Sequence, residues 1–353
     1  MVARWLSTLR GFKITTQIGG HGVTVLLRAD MDGLPIQEAT GLEYYSDITM
    51  NDADGILRPV MHACGHDMHM ILHTLRSLWR GTLIVLFQPA EERDTGARAM
   101  VDDVLYDPAR HNIPVPDYML GQHVMAMRAG TVGSKVGTIM AGADSMKIII
   151  SGVGGHGSQP HRTVDPAAMA AHVVVRLQSI VSRETNTSDI AVVNSRQPAY
   201  RLDGERHRRL GRNRHRHTQR AARDAREAVV LDQVDCGGRV RSKRCPGCAC
   251  VKMTRNLPVT VNDEPMMETL ATEFKRHFGD KFDANITATT IAEDFSVLAT
   301  SQGRPCVFWH WGGIQESPAN HTARFAPAIQ PTMRTGIDAL VVAALTFLDK
   351  PQE

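Results

Sequence analysis

The sequence predicts an α/β protein whose larger domain is interrupted by a smaller α+β domain. Short apolar runs that end in polar residues recur between 23 and 124, which is typical of buried strands in an α/β sheet. Near Ser145 the pattern changes to a separate strand–helix–strand unit. The chain has 353 residues, which is long enough for two domains. We therefore assign 1–143 and 254–353 to the larger domain and 144–253 to the inserted one.

The first predicted strand, 23–28, ends beside two acidic residues. It runs into Ala-Asp-Met-Asp-Gly-Leu-Pro, which places Asp30 and Asp32 at the carboxyl end of the strand. Open α/β sheets build their functional sites at this edge. The pair is therefore a candidate for a site, although a solvated acidic turn accounts for it equally well.

The stretch 61–69, Met-His-Ala-Cys-Gly-His-Asp-Met-His, is rich in potential metal ligands. Cys64 and His66 are two residues apart, so in an extended or tightly turned backbone their side chains point the same way. Gly65 between them permits a backbone conformation that a bulkier residue resists. A thiolate beside an imidazole suits a borderline-soft divalent ion such as zinc. The alternative is a surface loop that happens to be rich in histidine; a helix is predicted to follow over 70–79.

Two further predicted strands end in polar candidates. The strand 82–87 runs into Glu91 and Glu92, adjacent carboxylates of which one can face a metal and the other an attacking water. In the alternative, these acids cap the helix that follows them. A strand near 118–120 leads to His123, a residue type that in this position is more often structural than catalytic.

The inserted domain begins with a predicted strand at 146–150. The glycine-rich loop after it contains His156, but it lacks the Lys-Ser/Thr end and the dinucleotide spacing of phosphate-binding loops. Asp165 is the predicted N-cap of a helix with one apolar face. A further strand is predicted over 189–193.

Residues 195–253 do not have the pattern of a folded domain. Positions 195–250 contain 14 Arg and one Lys against six acids, together with four of the six cysteines. The rest of the chain has 25 basic and 31 acidic residues, so the formal net charge of +3 comes from this block alone.

Three interpretations of this Arg-rich block differ in what they imply. Cys236, Cys245, Cys248 and Cys250 superficially resemble zinc ligands, but their spacing is wrong for a zinc ribbon. An arginine-rich arm that binds nucleic acid is a second interpretation. We favour the third, translation out of frame, because 201–220, back-translated with freely chosen synonymous codons and shifted by one nucleotide, can be read as a turn followed by an alternating strand.

Normal patterning resumes after the block. The predicted elements are a helix over 265–278, a strand over 285–290, a helical turn at 292–296, a strand over 307–311, a loop that carries His321 and a closing helix over 332–348.

Composition excludes some classes of protein. The chain lacks an apolar run of about 18 residues, the length that a membrane span needs. Residues 1–10 lack the apolar core of a signal peptide, which favours the cytoplasm. Six cysteines in a chain of this length do not indicate a disulfide scaffold.

Together these motifs resemble the metal-dependent amidohydrolases that include hippurate hydrolase, bacterial N-acyl-amino-acid aminoacylases and plant indole-acetyl-amino-acid hydrolases. The matching pieces, in family order, are Arg-Ala-Asp-Met-Asp-Gly-Leu-Pro at 28–35, the motif at 61–67, Phe-Gln-Pro-Ala-Glu-Glu at 87–92, Gly-Gln-His-Val at 121–124, Gly-Gly-His-Gly-Ser-Gln-Pro-His at 154–161, Ala-Glu-Asp-Phe-Ser at 292–296 and His321. The resemblance implies a mixed-sheet, metallopeptidase-like catalytic domain. It also implies that the inserted domain is a lid or dimerisation domain, here partly out of frame over 195–253.

The resemblance also implies the composition of the site. It implies two divalent ions, zinc or manganese, with these ligands: Cys64, His66, Glu92, His123 and His321. Glu91 is implied as the catalytic base, and His156 as a lid residue that stabilises the oxyanion. We expect Asp30, Asp32 and Asp67 to orient the metal ligands through hydrogen bonds without binding the metal themselves.

The function implied is hydrolysis of the amide bond of N-acyl amino acids, by a homodimer if the lid folds. The Arg-rich block replaces the region in which the family carries an Asn and an Arg that hold the substrate carboxylate, so we expect impaired activity. A non-catalytic remnant that binds metal is the main alternative. A basic nucleic-acid-binding protein is favoured only by the Arg-rich block.

Overall fold

The computed structural model describes residues 13–18, 22–52, 55–66, 79–93, 95–111, 113–187, 191–195, 198–202, 227–234, 249–314, 317–318 and 320–348. The chain divides into two compact units, one comprising Met1–Gly142 with Leu257–Glu353 and the other Ala143–Asn256. The predicted inserted domain, 144–253, falls within the second unit. None of the described helices is long and apolar enough to cross a membrane.

The described strands are β1 (Lys13–Ile18), β2 (Thr24–Asp30), β3 (Thr49–Asn51), β4 (Leu57–Pro59), β5 (Gly81–Gln88), β6 (Tyr118–Met125), β7 (Val132–Gly133), β8 (Gly137–Met140), β9 (Ala143–Ser151), β10 (Pro198–Leu202), β11 (Glu227–Val234), β12 (Ala249–Leu257), β13 (Thr260–Asn262), β14 (Phe282–Asp283) and β15 (Cys306–Gly312). The described α-helices are Gly96–Asp102, Pro108–His111, Pro166–Ser179, Glu264–Phe278, Phe295–Thr300 and Ile329–Phe347. Short 3-10 turns cover Glu91–Arg93, Pro160–Arg162 and Gly279–Lys281, and a π turn covers Ile180–Glu184.

A seven-stranded mixed sheet forms the centre of the first unit, in the order β1-β5-β2-β6-β15-β7-β14. Four consecutive strands of this sheet, β5, β2, β6 and β15, are parallel to one another. Strand β1 is antiparallel to β5, and β7 is antiparallel to β15. All seven residues of β2 are buried, as expected for a strand covered on both faces. The predicted α/β class with a mixed sheet is confirmed.

Apolar side chains pack on both faces of this sheet. One cluster joins Trp309 and Trp311 of β15 to Phe274 and to Leu340, which lie on the helices Glu264–Phe278 and Ile329–Phe347. The other cluster includes Phe308, whose ring centroid lies 5.3 Å from that of Phe295. Alternate residues of β15 therefore face opposite layers, which is the period-2 pattern of a central strand.

The second unit contains a four-stranded sheet in the order β10-β11-β9-β12 and the helix Pro166–Ser179. Asp165 caps this helix, because its Oδ1 accepts a hydrogen bond of 2.8 Å from the backbone N–H of Ala167. Leu177 of the helix is buried in one cluster with Ile148 and Ile150 of β9. The predicted N-cap is confirmed.

Two predicted strands are wrong. Of the strand predicted over 189–193, the described residues 191–193 form no strand. The stretch 285–290 forms no strand, although Thr289 makes a single bridge to Met140. The nearby strand β14 ends at Asp283, whose side chain accepts a hydrogen bond of 2.8 Å from the backbone N–H of Asn285, a local turn that competes with the sheet.

The Arg-rich block contains strands that the sequence analysis did not predict. Strand β11 is antiparallel to both β10 and β9, and its central residues, Ala-Val-Val-Leu at 228–231, are a short apolar run of the kind that favours strands. The expectation that the block has almost no ordered apolar pattern is therefore wrong for this stretch. Residues 196–197, 203–226 and 235–248 of the block, and 70–78 of the predicted helix 70–79, lie outside the described residues.

Candidate metal centre

Polar side chains meet at the carboxyl ends of the parallel strands. Asp30 at the end of β2 pairs with Gln88 at the end of β5, and His123 of β6 pairs with His310 of β15. Residues directly opposite each other on neighbouring strands project to the same face. All four are buried, so this edge of the sheet holds a row of dehydrated polar groups.

The turn that contains Cys64 and His66 lies against this row. Gly65 adopts a φ of +79°, and a Cβ at this position would lie 2.5 Å from Cγ1 of Val124. Only glycine tolerates both the left-handed backbone and the close approach. The turn places the Cys64 and His66 side chains in the interior, where both are buried.

The imidazole rings of His66 and His123 are hydrogen-bonded in the same way. Nδ1 of His66 lies 3.1 Å from the carbonyl oxygen of Asp32, and Nδ1 of His123 lies 2.6 Å from that of Val124. Each ring therefore donates its Nδ1–H to the backbone, which leaves the lone pair on Nε2. Metal-binding histidines typically use this arrangement. Nε2 of His123 lies 3.5 Å from Sγ of Cys64.

Cys64 belongs to two groups of potential ligands. One group is Cys64, His66 and His123, and the other is Cys64, Glu92 and His321; within each group the donor atoms lie within 4.8 Å of one another. In the second group, Nε2 of His321 lies 3.4 Å from Oε2 of Glu92. Cys64 is thus common to two sets of three potential donors.

The donor chemistry fits divalent ions. Sulfur, imidazole nitrogen and carboxylate oxygen together suit zinc and similar borderline metals. Oε1 of Glu92 is buried and has no hydrogen-bond partner among the described residues. Burial and the neighbouring Asp32 raise the pKa of Glu92 to about 8, and burial also raises the pKa of the Cys64 thiol. A cation would favour the ionised form of both groups.

Glu91 lies beside these groups and is also buried, with its Oε2 3.9 Å from Nε2 of His66. Burial, followed by the carboxylates of Glu293 and Asp30, raises the pKa of Glu91 well above its ordinary value. A buried carboxyl group with a raised pKa can accept a proton and give it up again in turn. A carboxylate pair with divided roles is therefore chemically reasonable for Glu91 and Glu92.

The backbone is strained at two positions next to the candidate ligands. Ala90, immediately before Glu91, has a φ of +59°, and His321 has a φ of +62°. Residues with a Cβ seldom adopt this region, and such strain clusters at functional sites. The backbone N–H of His321 donates to the carbonyl of Ala63 at 2.9 Å, which fixes the distant loop next to Cys64.

Asp30 and Asp32 contact the ligand-bearing segments. Oδ1 of Asp30 lies 3.4 Å from Nδ1 of His66 and accepts a hydrogen bond of 2.9 Å from the backbone N–H of Asp32. Oδ2 of Asp32 accepts a hydrogen bond of 3.0 Å from the backbone N–H of Glu92. Both aspartates therefore contact residues of the candidate centre through hydrogen bonds or ion pairs.

The other two predicted site residues are Asp67 and His156. Asp67 is not among the described residues. His156 belongs to the second unit, where it is exposed and its Nδ1 accepts a hydrogen bond of 3.2 Å from the backbone N–H of Ser158.

The sequence analysis gave no role to a buried charged network beside the centre. Nη2 of Arg28 lies 2.9 Å from both Asp30 Oδ2 and Glu293 Oε1, and Nε donates to Gln88 Oε1 at 3.1 Å. Asp294 is 3.5 Å from the same guanidinium. Burial alone would lower the pKa of Arg28, but Asp30 and Glu293 raise it, so the group stays charged.

Signals in the sequence could have found this network and the neighbouring histidine. A charged residue inside an apolar run, as Arg28 is in Thr-Val-Leu-Leu-Arg-Ala-Asp, must be paired if the strand is buried. Likewise Glu293 and Asp294 directly precede a helix whose first five residues are all buried. His310 carries a weaker signal, a histidine within the apolar strand β15; its Nε2 is buried without a partner among the described residues.

Sequence comparison finds hydrolases among the relatives. The chain is 39% identical to the IAA-amino acid hydrolase ILR1-like 2 of Arabidopsis thaliana over 183 residues, which cover 49% of this chain and 38% of the relative. It is 38% identical to the hippurate hydrolase of Campylobacter jejuni over 202 residues, which cover 52% and 49%. The matched region thus spans less than half the length of each relative.

The matches to solved structures and to a family model cover more of the chain than the matches to these relatives. A solved chain from methicillin-resistant Staphylococcus aureus matches with a TM-score of 0.67 at 24% identity, over 96% of this chain and 85% of that one. The Bacillus subtilis YXEP protein, a dinuclear metal-binding peptidase, matches with a TM-score of 0.61 at 20% identity, over 98% and 89%. At these identities the likeness concerns the fold. The model of peptidase family M20/M25/M40 matches residues 26–346, and the chain therefore belongs to this family.

Proposed function

We propose that the chain is a metal-dependent amidohydrolase that cleaves the amide bond of N-acyl amino acids. The observation that carries the proposal is the position of Cys64 in two groups of donors, one with His66 and His123 and the other with Glu92 and His321. Each group would hold one divalent ion, zinc or manganese, and Cys64 belongs to both groups. The IAA-amino acid hydrolase and the hippurate hydrolase among the relatives act on conjugates of amino acids, as their names state.

The proposed chemistry divides between the ions and Glu91. When bound, the ions lower the pKa of a water and polarise the amide carbonyl. Glu91 takes the proton from that water and returns it to the leaving amine. The burial of Glu91 and its raised pKa suit both steps. His66 and His123 direct Nε2 into the centre because their Nδ1 atoms contact backbone carbonyls.

The inserted domain contributes two further proposals, both from the resemblance alone. His156 stabilises the oxyanion, and the domain forms a homodimer contact if it folds. Because the Arg-rich block stands where the family holds the substrate carboxylate, we expect slow turnover by this chain. Losing such charged contacts costs about 2–5 kcal/mol, and a misplaced oxyanion donor costs about 3 kcal/mol more. Together they correspond to roughly four to six orders of magnitude in rate.

The alternative function is metal binding without catalysis, and the Arg-rich block is the feature that favours it. Both functions require the same ions, so metal binding alone does not separate them. The separating observation is metal-dependent hydrolysis that depends on Glu91.

Metal content tests the centre. Wild type should bind up to two divalent ions per chain, measured by elemental analysis after dialysis. Cys64→Ala should lose both ions, because Cys64 is shared, whereas His123→Ala should lose one. Cys306→Ala is the matched control, since Cys306 is a buried cysteine outside the centre, and it should keep both ions. Unchanged metal content in Cys64→Ala and His123→Ala would refute the assignment.

Hydrolysis tests the reaction. Hippurate and N-acetyl amino acids are incubated with the chain in excess manganese or zinc, with EDTA as the negative control. Restoring the reading frame across 195–253 should raise the rate by orders of magnitude, and Glu91→Gln in that chain should lower it by about 10²–10⁴-fold with metal content unchanged. A frame-restored chain that binds both ions but hydrolyses none of these substrates would favour the non-catalytic alternative. Fast hydrolysis by the unrepaired chain would show that the block costs nothing.

A further inference from the structure

We propose that Asp294 positions the acidic turn, by which we mean the described residues 88–93 and 95–97, which include Glu91 and Glu92. Asp294 fastens the two ends of this turn to each other and so fixes where the two carboxylates point. The inference rests on the proposed metal centre, but it concerns a residue outside the two donor groups that contain Cys64.

The contacts of Asp294 span the turn. Its Oδ1 accepts a hydrogen bond of 2.5 Å from Nε2 of Gln88, the last residue of β5. Its Oδ2 accepts one of 2.9 Å from the backbone N–H of Ala97, in the first turn of the helix Gly96–Asp102. The Asp294 carboxylate thus joins Gln88, three residues before Glu91, to the helix that begins at Gly96.

The turn itself is closed tightly. The backbone N–H of Gly96 donates to the carbonyl of Ala90 at 3.1 Å, and a Cβ on Gly96 would lie 1.8 Å from the carbonyl oxygen of Pro89. Ala90 has a positive φ of 59°. A backbone conformation that is locally unfavourable persists only where its surroundings hold it. Asp294 supplies such a restraint at both ends.

Asp294 is itself held in place by Arg28. The guanidinium donates to both oxygens of the neighbouring Glu293, Nη2 to Oε1 at 2.9 Å and Nη1 to Oε2 at 3.3 Å. Such paired bonds fix orientation as well as position. Glu293 Oε1 also accepts a hydrogen bond of 3.2 Å from the backbone N–H of Phe295, and Arg28 Nη2 lies 3.5 Å from Asp294 Oδ1.

All of these groups are buried, with Arg28, Glu293 and Asp294 each 1% exposed and Gln88 0% exposed. Water cannot replace a lost contact here, so removing one partner lets the turn rearrange instead. The same network reaches the other candidate ligands through Asp30, which lies between Arg28 Nη2 and Nδ1 of His66. The acidic turn and His66 are therefore set by one connected group of side chains.

The test compares Asp294→Ala with Asp263→Ala. Asp263 is the matched control because it also accepts a hydrogen bond from a helical backbone N–H, that of Met266 at 3.1 Å, but it lies at a different helix. Both variants should lose stability. Only Asp294→Ala should lower the affinity of the metal-free chain for manganese, measured by titration calorimetry, by about 10–100-fold. Asp294→Asn, which retains the acceptor for Ala97, should recover part of that loss.

A second readout does not depend on metal. Amide hydrogen exchange of the chelator-treated chain should quicken in peptides that cover residues 88–97 for Asp294→Ala, and stay unchanged there for Asp263→Ala. If Asp294→Ala does not fold, Gln88→Met removes one end of the clamp at similar side-chain volume and should give the same two results.

The outcomes separate this inference from the proposed function. If wild type binds manganese and Asp294→Ala changes neither affinity nor exchange, the positioning role is wrong while the metal centre stands. If wild type binds no divalent ion, the metal centre is wrong, and the exchange comparison still decides whether Asp294 holds the turn. Equal loss of affinity in Asp263→Ala would also overturn the positioning role, because it would be a general effect of lost stability.

Discussion

Replacing Gly65 by alanine should damage the candidate centre more than the same change at another glycine with the same backbone conformation. Gly65 has a φ of +79°, which costs an L-residue about 1–2 kcal/mol. The new Cβ would also lie 2.5 Å from Cγ1 of Val124, so the turn or the side chain must shift. Overpacking of this kind costs about 1–3 kcal/mol. The two effects together predict a loss of about 2–5 kcal/mol in the free energy of unfolding.

Gly137 provides the control. Its φ is +77°, but nothing lies within 4 Å of the position that a Cβ would occupy. Gly137→Ala therefore carries the backbone cost alone, about 1–2 kcal/mol. The difference between the two variants measures the contact with Val124. The double variant Gly65→Ala with Val124→Ala should reduce the cost of Gly65→Ala, because the clashing atom is gone.

The assay is urea unfolding of the metal-free chain, followed by circular dichroism, together with elemental analysis of the metal-loaded chain. Gly65→Ala should lose metal because the shift displaces Cys64 and His66, whereas Gly137→Ala should not. If Gly65→Ala is no more destabilised than Gly137→Ala and binds as much metal, the close approach at Val124 does not shape the centre.

Three other predictions follow from single residues. The folded state raises the pKa of Glu92 to about 8, so the protonated form of Glu92 stabilises the metal-free chain at low pH, and this stabilisation is lost as pH rises from about 4.5 to 8. Glu92→Gln should therefore reduce the decrease in the free energy of unfolding over this pH range, measured by urea unfolding. An unchanged pH dependence would contradict the assignment. Ala90→Gly should raise the free energy of unfolding by a few tenths to about 1 kcal/mol, because the relief of backbone strain at φ +59° exceeds the cost of the glycine's greater conformational entropy in the unfolded chain. A lower urea midpoint for this variant would show that the position is not strained. Phe308→Ala should cost about 3–5 kcal/mol in the same assay, since Phe308 is 0% exposed and packs against Phe295; a cost below about 1 kcal/mol would be too small for a fully buried ring.

Local sequence patterns were sufficient to predict much of the fold. The apolar runs that became β2, β5 and β15 are short, continuous and followed by polar residues, which is what burial on both faces of a parallel sheet requires. The α/β class was predicted correctly for this reason, whereas the family was predicted from the ordered motifs between 28 and 321. The assignments of individual site residues such as Glu91 and His321 stay predictions until the variants are measured.

What the sequence did not indicate depends on contacts between distant positions. Arg28 and Glu293 are 265 positions apart, and no local pattern relates them. The strand predicted over 189–193 had a suitable local pattern, but its described residues 191–193 form no strand, while β11 and β12 pair with β9. Strand β11 was missed because its apolar residues lie within an Arg-rich segment whose average composition is unfavourable.

The order of strands has a consequence for how the chain is made. Strand β15 lies between β6 and β7, yet it is synthesised about 180 residues after them. Until residue 312 leaves the ribosome, β6 and β7 cannot acquire their shared neighbour, and their apolar edges stay open to other partners. The growing chain therefore has a long interval in which association with other nascent chains competes with folding. Expression at low temperature, or together with chaperones that bind apolar segments, should therefore increase the yield of monodisperse protein.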